Sequence, residues 1–132
     1  MSEYKHKCIM LIDDSDIDNM VNKHILGRNN IAENILVFTS ANDALLYIEK
    51  NKSTNDPNIF PSVILLDINM PIMNGFGFLF EFEKLNPELI EKVKVVMLTS
   101  SVDPNDIRKS KEFKSVKSFI SKPLSLEHLE NI

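Results

Sequence analysis

The 132-residue chain is poor in cysteine, tryptophan and glycine, with one, none and three of them. Because Cys8 is the only cysteine, no disulfide can form within the chain, which fits a reducing compartment. No run approaches the roughly 18 consecutive apolar residues that a membrane-spanning helix needs. The first residues, Met1 to Lys7, are mostly polar and lack the apolar core of a secretion signal. We expect a soluble cytoplasmic protein.

The charge balance also excludes classes of partner. The net charge is -4, and no block of Lys or Arg stands out. This argues against nucleic-acid binding through a basic face. With no long apolar run, we expect no membrane partner either. At 43% hydrophobic residues the chain can build a core. We expect residues 1–132 to form one domain, since the length is that of an ordinary domain.

Apolar runs of strand length alternate with helical patterns along the whole chain. Strands are predicted over residues 8–12, 35–38, 63–66, 93–98 and 116–120. Helices are predicted after Ser15, after Ser40, from near Asn74, over residues 104–112 and after Ser125. Asp103 and Pro104 fit an N-cap followed by proline in the first turn. The polar stretch 51–61, with two prolines, is predicted to be a long loop.

The first and third helices carry the most informative apolar patterns. The first has the spacing of Ile17, Met20, Val21 and Ile25, and Gly27 is a plausible stop. In the third, the four phenylalanines cannot all face the core, so we expect one or two of them to face outward; they are Phe76, Phe78, Phe80 and Phe82.

Strict alternation of strands and helices predicts an α/β fold, a doubly wound five-stranded parallel sheet with helices on both faces. The flavodoxin-like strand order 2-1-3-4-5 is the simplest arrangement, and its switch point lies between strands one and three. These are the strands that end in Asp13 and Asp14 and in Asp67. Three carboxylates at one edge repel each other and require a hard cation, for which Mg2+ is the best candidate.

The next two strands bring a hydroxyl and an ammonium to the same edge. Thr99 directly follows strand four, and Lys122 follows strand five. A phosphoryl group on Asp67 would have its oxygens met by the cation, by Thr99 and by Lys122. Each residue alone has an ordinary explanation, because a strand-end hydroxyl often caps a turn and a lysine is usually a surface residue. Because Thr99 and Lys122 share a sheet edge with the carboxylates, a functional role is favoured over these ordinary explanations.

These residues give the chain a resemblance to a known family. It resembles the response-regulator receiver domains of two-component signalling, similar to the chemotaxis-type single-domain regulators, over residues 8–129. The motifs that carry the resemblance are Ile12-Asp13-Asp14, Leu66-Asp67-Ile68-Asn69-Met70-Pro71, Asn74-Gly75, Leu98-Thr99-Ser100 and Lys122-Pro123. Each is weak alone, but their order and their place at strand ends make the set specific.

The resemblance implies a role for each matching position. Asp67 would be the phosphoacceptor and a metal ligand; Asp14 would bind Mg2+ directly, Asp13 mostly through water, and Asn69 through its backbone carbonyl. Thr99 would be the switch hydroxyl that hydrogen-bonds the phosphoryl group.

The other implied roles lie on and after strand five. Lys122 would pair with the phosphoryl oxygens, and its bond to Pro123 would be cis. Phe119 would be the switch aromatic, although a phenylalanine in an apolar strand is more often core.

The resemblance also implies a function and partners. The chain would take a phosphoryl group from a histidine kinase or a histidine phosphotransfer protein onto Asp67. It would then signal to a downstream protein through the face of the helix at 104–112, strand five and the last helix. It would catalyse only its own phosphoryl transfer and autodephosphorylation, as a monomer or a weak phosphorylation-dependent dimer.

Two alternatives remain open from the residues. The first is a receiver-like binding module that works without phosphorylation. The second is a phosphohydrolase that uses an aspartyl phosphate. Such enzymes commonly need a second Asp two residues after the nucleophile, and Asn69 stands there instead. The three histidines, His6, His24 and His128, are scattered and show no metal-binding spacing.

Overall fold

The sheet has five parallel strands in the order β2-β1-β3-β4-β5, which confirms the predicted fold class. The computed structural model describes residues 3–85 and 87–132; Met1 and Ser2 of the polar N-terminal segment lie outside the described residues. The strands are β1 (His6–Ile12), β2 (Ala32–Phe38), β3 (Val63–Leu66), β4 (Lys94–Thr99) and β5 (Val116–Ser121). Long apolar runs form these strands because both faces of a parallel sheet are covered by helices.

Helices cover both faces of the sheet. The α-helices are α1 (Asp16–Arg28), α2 (Ala41–Asn51), α3 (Gly75–Leu85), α4 (Pro87–Lys92) and α5 (Pro104–Ser110), and a 3-10 helix spans Leu126–Asn131. One apolar core lies between the sheet and the helices α2, α3 and α4. The second lies on the opposite face, between the sheet, α1 and the 3-10 helix. Successive β1 residues alternate between the two cores, as the period of a strand requires.

The register of the central strands decides where the functional edge lies. Ile12 on β1 is paired with Leu66 on β3, so Asp13 and Asp67 leave the sheet at the same level. The amide N–H of Asp67 donates to the carbonyl of Ile12 at 3.0 Å, which extends the ladder by one residue. The polar residues after β1 and β3 therefore meet at the carboxyl edge of the sheet, beside the switch point.

The predicted helix starts agree with the structure. Ser15 caps α1, with its hydroxyl accepting from the Asp18 amide at 3.2 Å, and Ser40 caps α2 in the same way from Asp43 at 3.3 Å. Asp103 caps α5 by accepting from the Asn105 amide at 2.9 Å. These side chains satisfy amide groups that the first helical turn leaves without partners.

The face that α1 presents to the sheet differs from the apolar pattern in the sequence. Ile17, Met20 and Val21 are 70%, 66% and 45% exposed. The buried residues of α1 are instead Asn19, Asn22 and Leu26. Asn19 faces inward because its side-chain amide donates to the carbonyl of Asp13 at 2.7 Å. A polar contact to the end of β1 thus helps to set the orientation of this helix.

Other differences concern element ends. β1 and β2 begin two and three residues earlier than predicted, since His6 and Ala32 still pair with each other across the two strands. α5 ends at Ser110, two residues short of the prediction, and the helix α4 was not predicted. The last helix is a 3-10 helix. Phe80 is the outward-facing phenylalanine of α3, 58% exposed, while Phe76, Phe78 and Phe82 are buried.

The bond between Lys122 and Pro123 is cis, as the resemblance implied. Within the part of the chain that the structure describes, none of the helices combines the length and the apolar character needed to cross a membrane.

Candidate functional site

Three carboxylates converge at the carboxyl edge of β1 and β3. Asp13, Asp14 and Asp67 each offer one oxygen atom, and these three atoms lie within 4.8 Å of one another. Asp13 and Asp67 are each 5% exposed, whereas Asp14 faces solvent. The structure therefore brings together the acidic residues that the strand ends predicted, as a pocket with one open side.

Backbone amides hold the two buried carboxylates in place. Oδ1 of Asp13 accepts from the amide of Ser15 at 2.9 Å, and Oδ1 of Asp67 accepts from the amide of Ile68 at 2.8 Å. These bonds satisfy one oxygen of each carboxylate and orient the other one. Oδ2 of both residues points toward the same cation, the ammonium of Lys122.

The loop after Asp67 folds back closely onto the phosphoacceptor candidate. The amide of Gly75 donates to the carbonyl of Ile68 at 2.8 Å. A Cβ atom at Gly75 would stand only 2.5 Å from the backbone oxygen of Asp67. The start of α3 can approach the end of β3 this closely only without a side chain, which explains Gly75 in physical terms.

Lys122 reaches the pocket from the end of β5. Its ammonium donates to Oδ2 of Asp13 at 2.6 Å and to Oδ2 of Asp18 at 2.8 Å. It lies 3.6 Å from Oδ2 of Asp67, within ion-pair distance. The side chains of Lys122, Asp13 and Asp67 are 15%, 7% and 6% exposed, so these three charges act on one another with little screening by water. The side chain of Asp18 is 41% exposed, and its charge is screened more strongly.

Burial and neighbouring charges shift the pKa values of Asp13 and Lys122. Burial raises the pKa of Asp13 above its usual value, and the charge of Asp67 adds to this, while the hydrogen bonds from Lys122 and Ser15 oppose it. Burial alone would lower the pKa of Lys122. Hydrogen bonds to Asp13 and Asp18 and the charge of Asp67 outweigh burial, and the pKa of Lys122 is raised. The ammonium is therefore held in its charged form.

Thr99 is fully buried at the end of β4. Its hydroxyl oxygen accepts from the amide of Ser101 at 3.2 Å, and this bond does not use the hydroxyl proton. Its carbonyl accepts from the amide of Lys122 at 2.9 Å, which ties the ends of β4 and β5 together. Thr99 and Lys122 are thus hydrogen-bonded neighbours at the edge of the sheet.

The two remaining predicted residues are less central. Asn69 is exposed, two residues beyond Asp67 in the loop before α3. Phe119 is partly buried, is paired with Met97 across β4 and β5, and packs against the core. The roles that the family resemblance implies for Asn69 and Phe119 stay predictions.

Asp18 is the site residue that the sequence reasoning missed. Ser15 marks the N-cap of α1, and Asp18 is the third residue inside that helix. An acidic residue at this position normally suggests only a helix-capping role. The signal that could have found it is its place in the first turn directly after the Asp13-Asp14 pair, which keeps its side chain beside the acidic pocket.

The donor set fits a divalent cation of the Mg2+ type. Three carboxylate oxygens close together are hard ligands, and the open side at Asp14 leaves room for the waters that Mg2+ retains. Burial and the charge of Asp67 raise the pKa of Asp13, and a bound cation would instead stabilise its charged form. The acidic group is thus compatible with Mg2+.

Comparison with known proteins identifies the family. The model of the response regulator receiver domain matches residues 9–132. Response regulator Rcp1 from Synechocystis sp. is 30% identical over 124 residues, which cover 93% of this chain and 81% of Rcp1.

Solved structures agree with this match. A two-component response regulator from Cytophaga hutchinsonii superimposes with a TM-score of 0.87 at 33% identity, covering 96% of this chain and 92% of that one. The Mn(2+)-bound form of response regulator Rcp1 superimposes with a TM-score of 0.73 at 28% identity, covering 95% and 87%.

The chain belongs to the response regulator receiver family of two-component systems. Receiver domains are signalling domains that bind Mg2+ at a cluster of aspartates and interact with histidine kinases and downstream targets.

Proposed function

We propose that this protein is a phosphorylation-driven switch that accepts a phosphoryl group on Asp67 from a histidine kinase or a histidine phosphotransfer protein. The observation that carries the proposal is the convergence of Asp67 with two further aspartates and a buried lysine at one sheet edge. Membership of the receiver family supports it. So does the relative Rcp1, which has a Mn(2+)-bound form.

The transfer needs one bond to form and one to break. A carboxylate oxygen of Asp67 attacks the phosphorus atom, and the bond from phosphorus to the donor imidazole nitrogen breaks, its electron pair staying on the nitrogen. Oδ2 is the better candidate nucleophile, since Oδ1 already accepts from the Ile68 amide. The donor ring carries a proton on its other nitrogen, so it leaves as a neutral histidine, and Asp67 becomes an aspartyl phosphate with little further chemistry for the protein to supply.

Stabilising the charge on the transferred group is therefore the main task of the site. Asp13, Asp14, Asp67 and the carbonyl of Asn69 would hold Mg2+, which supplies positive charge to the phosphoryl oxygens. Lys122 supplies a second positive charge, and a small movement of its ammonium from Asp13 meets those oxygens. The hydroxyl of Thr99 donates a hydrogen bond to a third oxygen.

Switching then follows from the Thr99 hydrogen bond. The new bond draws the loop after β4 toward Asp67, and Phe119 moves into the space this leaves. The face built by α5, β5 and the 3-10 helix changes its shape and presents itself to a downstream protein. The difference between the two states is one charge-assisted hydrogen bond plus burial of a ring, on the order of 1.5–3 kcal/mol for the bond.

The remaining expectations belong to the same proposal. Residues 1–132 act as one receiver domain in the cytoplasm, as a monomer or a weak phosphorylation-dependent dimer. The protein catalyses its own phosphoryl transfer and autodephosphorylation and no other reaction. A binding module that works without phosphorylation is not favoured, because the three aspartates lie close together and Lys122 forms ion pairs with two of them, Asp13 and Asp67.

A labelling assay with acetyl phosphate or phosphoramidate, with Mg2+ or with excess chelator, tests the proposal. The switch should form an acyl phosphate in the presence of Mg2+ that lasts for seconds or longer. A binding module would not become labelled, and a phosphohydrolase would turn over a phosphate ester substrate continuously. No Mg2+-dependent label on the folded protein would overturn the proposal.

A further inference from the structure

Asp18 and Asp67 both lie within ion-pair distance of the same ammonium, but at different distances. Lys122 donates to Oδ2 of Asp18 at 2.8 Å but lies 3.6 Å from Oδ2 of Asp67. Its second hydrogen bond goes to Asp13. The lysine is therefore held on the α1 side of the pocket, one short movement away from the phosphoacceptor candidate.

The first turn of α1 is arranged so that Asp18 is available for this contact. Asp18 is at the third helical position, where an acidic side chain often folds back to accept from the N-cap amide. Here the N-cap amide, that of Ser15, donates to Asp13 instead, at 2.9 Å. The carboxylate of Asp18 is released from capping, and it reaches Lys122.

We propose that Asp18 is the positioning residue of Lys122, which it holds away from Asp67 at rest and keeps at the pocket when a cation occupies the three aspartates. The proposal rests on the proposed function, because it concerns the same site. Asp13 is shared between Lys122 and the metal group. A cation bound to the three aspartates would compete with Lys122 for Asp13. Among the carboxylates of the described residues, Asp18 is the one that contacts the ammonium without belonging to that group of three aspartates.

The competing explanation is that Asp18 only stabilises α1, as acidic residues at helix N-termini do. Asp16 provides the matched control, because it lies in the same first turn and is exposed. It is not among the carboxylates within 4.0 Å of Lys122 in the described residues. A purely helical role predicts equal effects of Asp16→Asn and Asp18→Asn.

The first test measures Mg2+ binding by isothermal titration calorimetry, with the metal alone. Asp18→Asn should raise the dissociation constant about two- to fivefold, the size expected for one partly exposed ion pair. Asp16→Asn should have a smaller effect, and Asp18→Glu should restore most of the affinity. Equal dissociation constants for Asp18→Asn and Asp16→Asn would overturn the proposal.

A double-mutant cycle then asks whether Asp18 acts through Lys122. In the Lys122→Ala protein, the effect of Asp18→Asn should shrink to that of Asp16→Asn, because the ammonium that Asp18 holds is absent. An undiminished effect would mean that Asp18 acts on the metal directly, and the positioning role would be wrong.

A second measurement needs neither metal nor phosphoryl group. The immobilised ammonium of Lys122 should give a slowly exchanging 1H–15N signal in NMR spectra, which Asp18→Asn removes or shifts and Asp16→Asn preserves. An unchanged signal in Asp18→Asn would overturn the proposal. A missing acyl phosphate on the unaltered protein would instead overturn the proposed function, and the NMR comparison separates these failures.

Discussion

The ammonium nitrogen of Lys122 lies 3.6 Å from Oδ2 of Asp67, close enough for an ion pair and too far for a good hydrogen bond. The lysine donates its hydrogen bonds to Asp13 and Asp18. Oδ2 of Asp67 is thus near a positive charge without accepting a hydrogen bond from it. In the proposed function this spacing leaves the nucleophile available and places the ammonium where the transferred oxygens arrive.

Loss of Asp14 should remove Mg2+-dependent labelling by acetyl phosphate. Its carboxylate belongs to the three-aspartate group, and a ligating residue should be worth at least about tenfold in metal affinity. Asp14 is exposed, so Asp14→Ala should leave stability within about 0.5 kcal/mol of the unaltered protein. Measuring the label together with the urea midpoint checks both statements. Full labelling of Asp14→Ala, or labelling that survives excess chelator, would contradict the metal site.

Asp67→Asn should raise the free energy of unfolding in metal-free buffer. The charge of Asp67 is one of the causes that raise the pKa of Asp13, and the amide removes that charge at almost constant shape. Urea unfolding gives the free energy difference. Saturating Mg2+ is the control, since it relieves the same repulsion and should shrink the gain. A lower stability of Asp67→Asn in chelator would show that the carboxylates do not repel each other appreciably.

Thr99→Ala should still accept a phosphoryl group on Asp67 yet lose most of the conformational response. The hydroxyl proton of Thr99 is not used in its bond with Ser101, and the methyl side chain cannot donate. NMR spectra of both proteins with a beryllofluoride mimic give the comparison. The same shifts at Phe119 and α5 in Thr99→Ala as in the parent would refute this coupling.

The two glycines at helix termini should respond oppositely to alanine. A Cβ at Gly75 would meet the backbone of Asp67 at 2.5 Å, so Gly75→Ala should destabilise the protein and displace the loop that carries the phosphoacceptor candidate. A Cβ atom at Gly27 would have no atom of another part of the fold within 4 Å, and Gly27 lies within α1. Gly27→Ala should therefore gain about 0.5–1 kcal/mol from the reduced entropy of the unfolded chain. Thermal unfolding measures the stability change of each variant. Equal changes for Gly75→Ala and Gly27→Ala would contradict the close approach at Gly75.

Stability should fall in mild acid because of His6. Burial, with the charges of Lys5 and Lys94, lowers the pKa of His6 below its usual 6.5. The folded protein then binds this proton more weakly than the unfolded chain. The contribution of His6 to stability is complete above pH 6.5 and is lost as the pH falls toward the lower folded pKa.

Urea unfolding at several pH values between about 7.5 and 5 checks the effect of His6. His6→Gln should flatten the pH dependence relative to the parent, and His24→Gln, an exposed substitution on α1, should not. If the parent and His6→Gln lose stability in parallel, His6 is not responsible.

The fold and the acidic residues were predictable because buried parallel strands leave a strong signal. Val63–Leu66 was predicted to the residue, since four apolar residues end abruptly at Asp67. Strand starts were less clear, because the first residues of β1 and β2 are partly polar yet still pair.

The orientation of α1 and the role of Asp18 could not be read from the sequence. Helical spacing predicts an apolar stripe of Ile17, Met20, Val21 and Ile25, but only Ile25 packs against the core and the other three are exposed. Asn19 faces inward through a contact to the backbone of Asp13, which no side-chain pattern encodes. Asp18 reaches Lys122 across 104 residues of sequence, a contact that only the assembled fold creates.

The most direct test of Asp67 as the phosphoacceptor locates the phosphoryl group itself. The protein is treated with acetyl phosphate and Mg2+, the acyl phosphate is reduced with borohydride, and peptide mass spectrometry finds the modified residue. We expect modification at Asp67 in the parent, none with chelator and none in Asp67→Asn. A stable label on the Asp67→Asn protein, or modification at another residue of the parent, would contradict Asp67 as the acceptor.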